Sequence, residues 1–128
     1  MLRKFDAHFP WILLTLIITI QSSVSSIYLP DVGISFIDKM LHFVVFGIWG
    51  LTFTRGLIMT KSDFVHRYLM WIVFVAGMIF AFSDEWHQYY VPGRTSDVYD
   101  WIADISGIII FSLLYKSFIR SKDQVEIE

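Results

Sequence analysis

Polar side chains with chemistry in them gather at three places along an otherwise apolar chain. Asp38 and His42 stand four residues apart, with Lys39 beside the aspartate. Asp84, Glu85, His87 and Gln88 form a second group. Arg94 follows directly after Pro92-Gly93, and Asp97, Asp100 and Asp104 close the series. Residues at i and i+4 share one face of a helix, so Asp38/His42, Asp84/Gln88 and Asp100/Asp104 each present a polar pair one turn apart. Ionisable groups set into apolar segments are costly in a bilayer and mark a function by default. A carboxylate or imidazole in such a place can act as a general acid or base, and His42, Asp84 and Glu85 are the candidates. Carboxylates crowded into a poorly hydrated site cannot all stay ionised without compensation, which calls for a bound proton or a bound cation. Oxygen donors favour a hard divalent ion, magnesium or calcium. A carboxylate pair with His42 would also suit zinc. Asp84, Asp100, Asp104 and His42 are the metal candidates. Arg94 can grip a phosphate in bidentate fashion, so the expected ligand-binding set is Asp38, Lys39, His42, Asp84, Glu85, Gln88, Arg94, Asp100 and Asp104.

The elements that must position these residues are membrane helices. The chain has 128 residues, 55% of them hydrophobic and only 17% charged, with a mean hydropathy of +0.58. A soluble domain carries nearer a quarter of charged residues. The net charge of -2 gives no reason to expect nucleic acid, and the absence of cysteine excludes disulfides and thiolate metal sites. A span needs about 20 mostly apolar residues, and four blocks qualify, at 9–29, 39–60, 67–90 and 98–119. The expectation is an all-α, four-transmembrane-helix bundle in one domain over 1–120, with a polar tail at 121–128. The last block must carry Asp100 and Asp104 below the headgroups to cross. Pro30, Gly33 and Ser35 mark the first connection, 61–66 the second, and Pro92-Gly93 reads as a turn. Helix 1 adds Gln21, Ser22, Ser25 and Ser26 near the polar groups, able to hydrogen-bond across the bundle. Gly47, Gly50 and Gly77 permit close helix approach, within one chain or between two. The N-terminal block has a rival reading as a secretory signal peptide, since Arg3 and Lys4 precede an apolar run and small residues at 22–26.

Charge sets the orientation. Arg3, Lys4, Arg55, Lys61, Arg67, Lys116, Arg120 and Lys122 fall on one side of a four-helix arrangement, and only Lys39 and Arg94 on the other. Positive residues collect in the cytoplasm, so both termini are expected there and the polar groups on the extracytoplasmic side. The acids Asp31, Asp38, Asp84, Glu85, Asp97, Asp100 and Asp104 all fall on that outer side. Part of this has an ordinary explanation. Asp38, Asp97 and Asp100 can sit at the positive ends of helix dipoles, and Lys39 and Arg94 can snorkel to lipid phosphates. That explanation fails for Asp84 and Glu85 at the negative end of helix 3, and for Asp104 two turns into helix 4.

Three motifs in order, Asp38-Lys39-x-x-His42, Asp84-Glu85-x-x-Gln88 with Pro92-Gly93-Arg94, and Asp100-x-x-Ala103-x-x-x-Gly107, resemble the VanZ-like family of small bacterial membrane proteins over roughly 37–114. One departure is visible: the family commonly has Asn where this chain has Asp104. The resemblance implies a multi-pass protein of the bacterial cytoplasmic (inner) membrane, and its namesake implies low-level resistance to the glycopeptide teicoplanin. It implies no particular reaction. Three functions fit the residues. One is binding of an anionic lipid or cell-wall lipid precursor headgroup, with Arg94 and Lys39 on the anion, modulating the envelope. Another is an outer-leaflet enzyme acting on a lipid-linked substrate, with or without a metal. The third is an ion- or proton-coupled transporter, disfavoured because 68–82 and 108–114 carry no carboxylate or histidine.

Overall fold

The computed structural model describes residues 2–24 and 34–125, with side chains at 6–24 and 36–121. Pro30, Asp31, Gly33, Ser25, Ser26 and the stretch 25–29 of the first expected span lie outside the described residues, as do the side chains of Arg3, Lys4, Ser35 and Lys122 and the end of the tail. The described chain is all helix: α1 Leu2–Ser22, α2 Ile34–Ile58, α3 Asp63–Arg67, α4 Leu69–Tyr89 and α5 Val98–Val125. Among the described residues, three helices are long and apolar enough to cross a membrane, over Phe36–Ile58, Leu69–Tyr89 and Val98–Ser121. The chain is a multi-pass membrane protein whose apolar helices suit a lipid bilayer.

The boundaries differ from the apolar blocks in instructive ways. α1 starts at Leu2, well before the apolar run, because a helix can continue through Asp6 and His8 without being in lipid. The second connection holds a short helix, α3, started by Ser62, whose hydroxyl accepts from the Val65 N–H at 3.4 Å. α5 begins at Val98 and takes Asp100 and Asp104 into its first turns.

α2 and α5 run side by side in the same direction and form the tightest pair of the bundle. Gly47 faces the Phe111 ring, Gly50 faces the backbone of Ile108, and Gly107 faces the Phe43 carbonyl. A Cβ at Gly107 would strike that carbonyl. Between helices in lipid there is no hydrophobic drive, so small residues that admit close packing do the joining. Gly77 on α4 meets Ile108 as well. The glycines therefore serve contacts within one chain. Around them sit the buried Ile18, Phe46, Trp49, Val73, Ala81 and Ile108.

α1 is braced along its length. Pro10 lies inside it and has no N–H for the Asp6 carbonyl, four residues earlier. Arg55 of α2 supplies the missing donor, Nη1 to Asp6 O at 3.0 Å. Midway, the Trp49 indole N–H donates to Thr15 Oγ1 at 2.7 Å. At the far end, Ser22 reaches Asp84 of α4. One end of the bundle therefore collects the end of α1, the start of α2, the end of α4 and the start of α5.

Candidate functional site

The turn between α4 and α5 sets the geometry of this end. The Arg94 N–H donates to the Val91 carbonyl at 3.1 Å, and Gly93 has φ 80°. Pro92 and Gly93 thus occupy the central positions of a type II turn, where the second must accept positive φ. The turn carries Arg94 back over α1. Its Nη2 donates to Gln21 O at 2.9 Å and its Nε to Val24 O at 3.3 Å, satisfying carbonyls that a helix end leaves open.

Asp97 starts α5. Its carboxylate accepts the Tyr99 N–H at 2.9 Å, the usual service of a helix-capping aspartate. Its own N–H donates to Glu85 Oε2 at 3.0 Å, tying α4 to α5. Lys39 of α2 bridges Asp97 at 2.7 Å and Asp100 at 3.0 Å. The Lys39 ammonium hydrogen bond, with the Tyr99 N–H second, holds the Asp97 carboxyl below its ordinary range. Two carboxylates share the Lys39 charge, so it braces the site.

Asp84 is buried, and both its oxygens are matched. Ser22 donates to Oδ1 at 2.6 Å and Gln88 Nε2 to Oδ2 at 2.8 Å. The one-turn pair Asp84/Gln88 is thus a direct hydrogen bond. The pair Asp38/His42 is not. The His42 Nδ1 bonds Asp104 Oδ1 of α5 at 2.9 Å, while Asp38 stays near without a hydrogen bond to it among the described residues. His87 turns away and meets Ser23 through Nε2 at 2.9 Å.

Glu85 and Asp104 are also buried. Glu85 is 5% exposed and Asp104 fully buried. The Ser96 hydroxyl stands beside the Glu85 carboxylate, yet Glu85 Oε1 and Asp104 Oδ2 have no hydrogen-bond partner among the described residues. Two groups of three side chains offer ligand atoms within 4.8 Å of one another: Asp38, His42 and Asp100, and His42, Glu85 and Asp104. Asp84, expected from its sequence position to join a metal set, belongs to neither; its oxygens accept from Ser22 and Gln88. Glu85 stands in its place. Above these groups a cavity of about 60 Å³ opens between α1, α2 and α4. Its lining includes the polar Asp38, His42, Asp84, Gln88 and Arg94 and the apolar Ile18, Val45 and Phe46.

The chain matches the VanZ/LLP1 family over residues 3–120. It belongs to that family. No curated protein and no solved structure matches it. The match covers more of the VanZ/LLP1 chain than the three motifs span, taking in α1 as well, and every motif residue named in the sequence is found at or beside the polar end.

Two polar residues of this VanZ/LLP1 protein escape motif reading. Thr54 of α2 and Ser112 of α5 are fully buried, with hydroxyls lacking a partner among the described residues. Ser112 falls inside the stretch that reads as devoid of carboxylates and histidines. A single hydroxyl in a long apolar run carries no signal of burial, because membrane helices bury and expose such residues alike.

Proposed function

We propose that this VanZ/LLP1 protein binds the anionic headgroup of a lipid or of a lipid-linked cell-wall precursor at its polar end, and so modulates the envelope and its susceptibility to glycopeptides such as teicoplanin. In this reading the protein is one four-span unit of the bacterial inner membrane. α1 is the additional span, both termini are cytoplasmic, and the cavity faces outward.

The cavity carries the reading. It places Arg94 in the lining of a space that mixes polar and apolar side chains, the composition of a site for an amphiphile's neck. Arg94 is fixed by Nε and Nη2 on carbonyls at and just beyond the end of α1, which leaves the Nη1 donors to meet a phosphate oxygen. A fixed guanidinium loses little freedom on binding. At about 60 Å³ the cavity takes a phosphate-sized group, with the rest of the headgroup outside.

The test is native mass spectrometry of the protein from its own membranes, wild type beside Arg94→Ala and Asp84→Asn. An anionic lipid or lipid-linked precursor is expected on the wild type and at least about tenfold depleted on Arg94→Ala, the loss of one charge-assisted contact. The same lipids at the same occupancy on all three proteins would sink the proposal.

A second reading is an enzyme of the outer leaflet, and one observation favours it. His42 lines the cavity while its Nδ1 is held by a buried carboxylate, Asp104. A base oriented by a second group is the arrangement that general-base catalysis uses. Conversion of the retained lipid by wild type and not by His42→Ala, with the lipid still bound, would establish catalysis.

A further inference from the structure

Glu85 Oε1 and Asp104 Oδ2 pose a physical problem. A buried polar atom with no partner costs free energy, and a charged one costs more. Here two such oxygens lie at one end of the bundle, on side chains at most 5% exposed. They belong to different helices, α4 and α5, and a third helix, α2, brings His42 to the same point. Three helices converging their ligand atoms within 4.8 Å is not what the amphipathic spacing of any one of them would produce.

We propose that His42, Glu85 and Asp104 form a binding site for one divalent first-row transition ion, manganese or zinc. The donor set decides the class. Imidazole suits transition ions, whereas magnesium and calcium take oxygen donors. One nitrogen with two carboxylates therefore points away from the hard ions that carboxylates alone suggest. Two carboxylates balance the ion's charge. His42 Nδ1 and Asp104 Oδ1 stand 2.9 Å apart across a hydrogen bond, and a bound ion would take the place of the proton they share.

The neighbouring groups fix the choice of site. Asp38, His42 and Asp100 also come within range, but Lys39 already holds Asp100 at 3.0 Å and its charge repels a second cation there. Asp84 offers no ligand atom to either group. His42 lines the open cavity, which gives an ion a way in. The proposal does not depend on the lipid reading: an ion could sit beneath an empty cavity or a filled one.

The experiment uses the full-length protein in detergent, stripped of lipid and of metal by EDTA. Mn²⁺ alone is titrated and free Mn²⁺ followed by electron paramagnetic resonance; Zn²⁺ alone is titrated and thermal unfolding followed. About one tightly held ion per chain and a rise in Tm are expected, with affinity lowered about tenfold or more in Glu85→Gln and Asp104→Asn and unchanged in Asp63→Asn, a carboxylate at the other end. Should the two variants fold poorly, pulsed resonance on the Mn²⁺-loaded wild type reads the site directly, and a coupling to imidazole nitrogen is expected. No ion bound at millimolar concentration, wild-type affinity in both variants, or a bound ion without nitrogen coupling would each overturn the proposal. Lipid is absent throughout, so the outcome is separate from that of the headgroup experiment.

Discussion

Asp97 stands at the junction of α2, α4 and α5: its carboxylate caps α5 and accepts from Lys39, and its N–H binds Glu85. Because Lys39 holds its carboxyl below the ordinary 3.8, the pairing favours the folded state above that value and is lost as pH falls through the lower folded value. Asp97→Asn keeps the cap, since Asn caps about as well as Asp, and removes only the ion pair. The variant is expected to melt below the wild type at pH 6, with the gap closing as pH is lowered past about 4. A gap that stays constant with pH would mean that the pairing contributes nothing. Asp97 as a helix-start acid is legible from its place before an apolar run. Its partner Lys39 is not, and neither is the partner of His42. Spacing rules see neighbours on the same helix, so they pair His42 with Asp38. The actual partner, Asp104, lies on another helix.

That other helix is placed by glycine. The register of α5 on α2 brings Asp104 to His42 and Asp97 to Lys39, and it is set where Gly107 meets the Phe43 carbonyl and Gly47 and Gly50 meet Phe111 and Ile108. Gly107→Ala must push the backbones apart, since the obstacle is a main-chain oxygen rather than a flexible side-chain tip. A loss of about 1–3 kcal/mol is expected, in the range of overpacking a tight core, read as a lower Tm in detergent. The same displacement would lengthen the His42–Asp104 contact. An alanine variant as stable as the wild type would show that the close approach is not what holds α2 to α5. At this scale the apolar blocks reveal where helices lie, and Pro92-Gly93 reveals the turn, because both signals are local. The parallel register of α2 and α5 is not local: many glycine pairings are compatible with the sequence, and the choice among them is made by packing of the whole bundle.

Across the whole molecule, polarity separates by end. Asp38, Asp84 and Arg94 lie at one end with the other site acids, while His66, Lys116 and Arg120 line a groove at the other, together with Ile58 and Leu69. α1 reaches from end to end: Asp6 meets Arg55 near the basic end, and Ser22 meets Asp84 at the acidic end. A helix that runs the length of three membrane-capable helices is in the right place to be a fourth span, although its own described residues open with several polar ones. The proposed orientation, with the acidic end outside, rests on the positive-inside rule. Lacking cysteine, the chain makes any introduced cysteine a sole reporter. In intact cells, Thr95→Cys is expected to react with a membrane-impermeant maleimide, while Asp6→Cys and Ser121→Cys react only after permeabilisation. If Asp6→Cys instead labels from outside with Thr95→Cys, α1 does not cross and the protein has three spans. If the pattern is fully reversed, the cavity opens to the cytoplasm, and ligands displayed on the outer leaflet, cell-wall precursors among them, are removed from consideration. The orientation therefore decides which lipids the Arg94 cavity can meet at all.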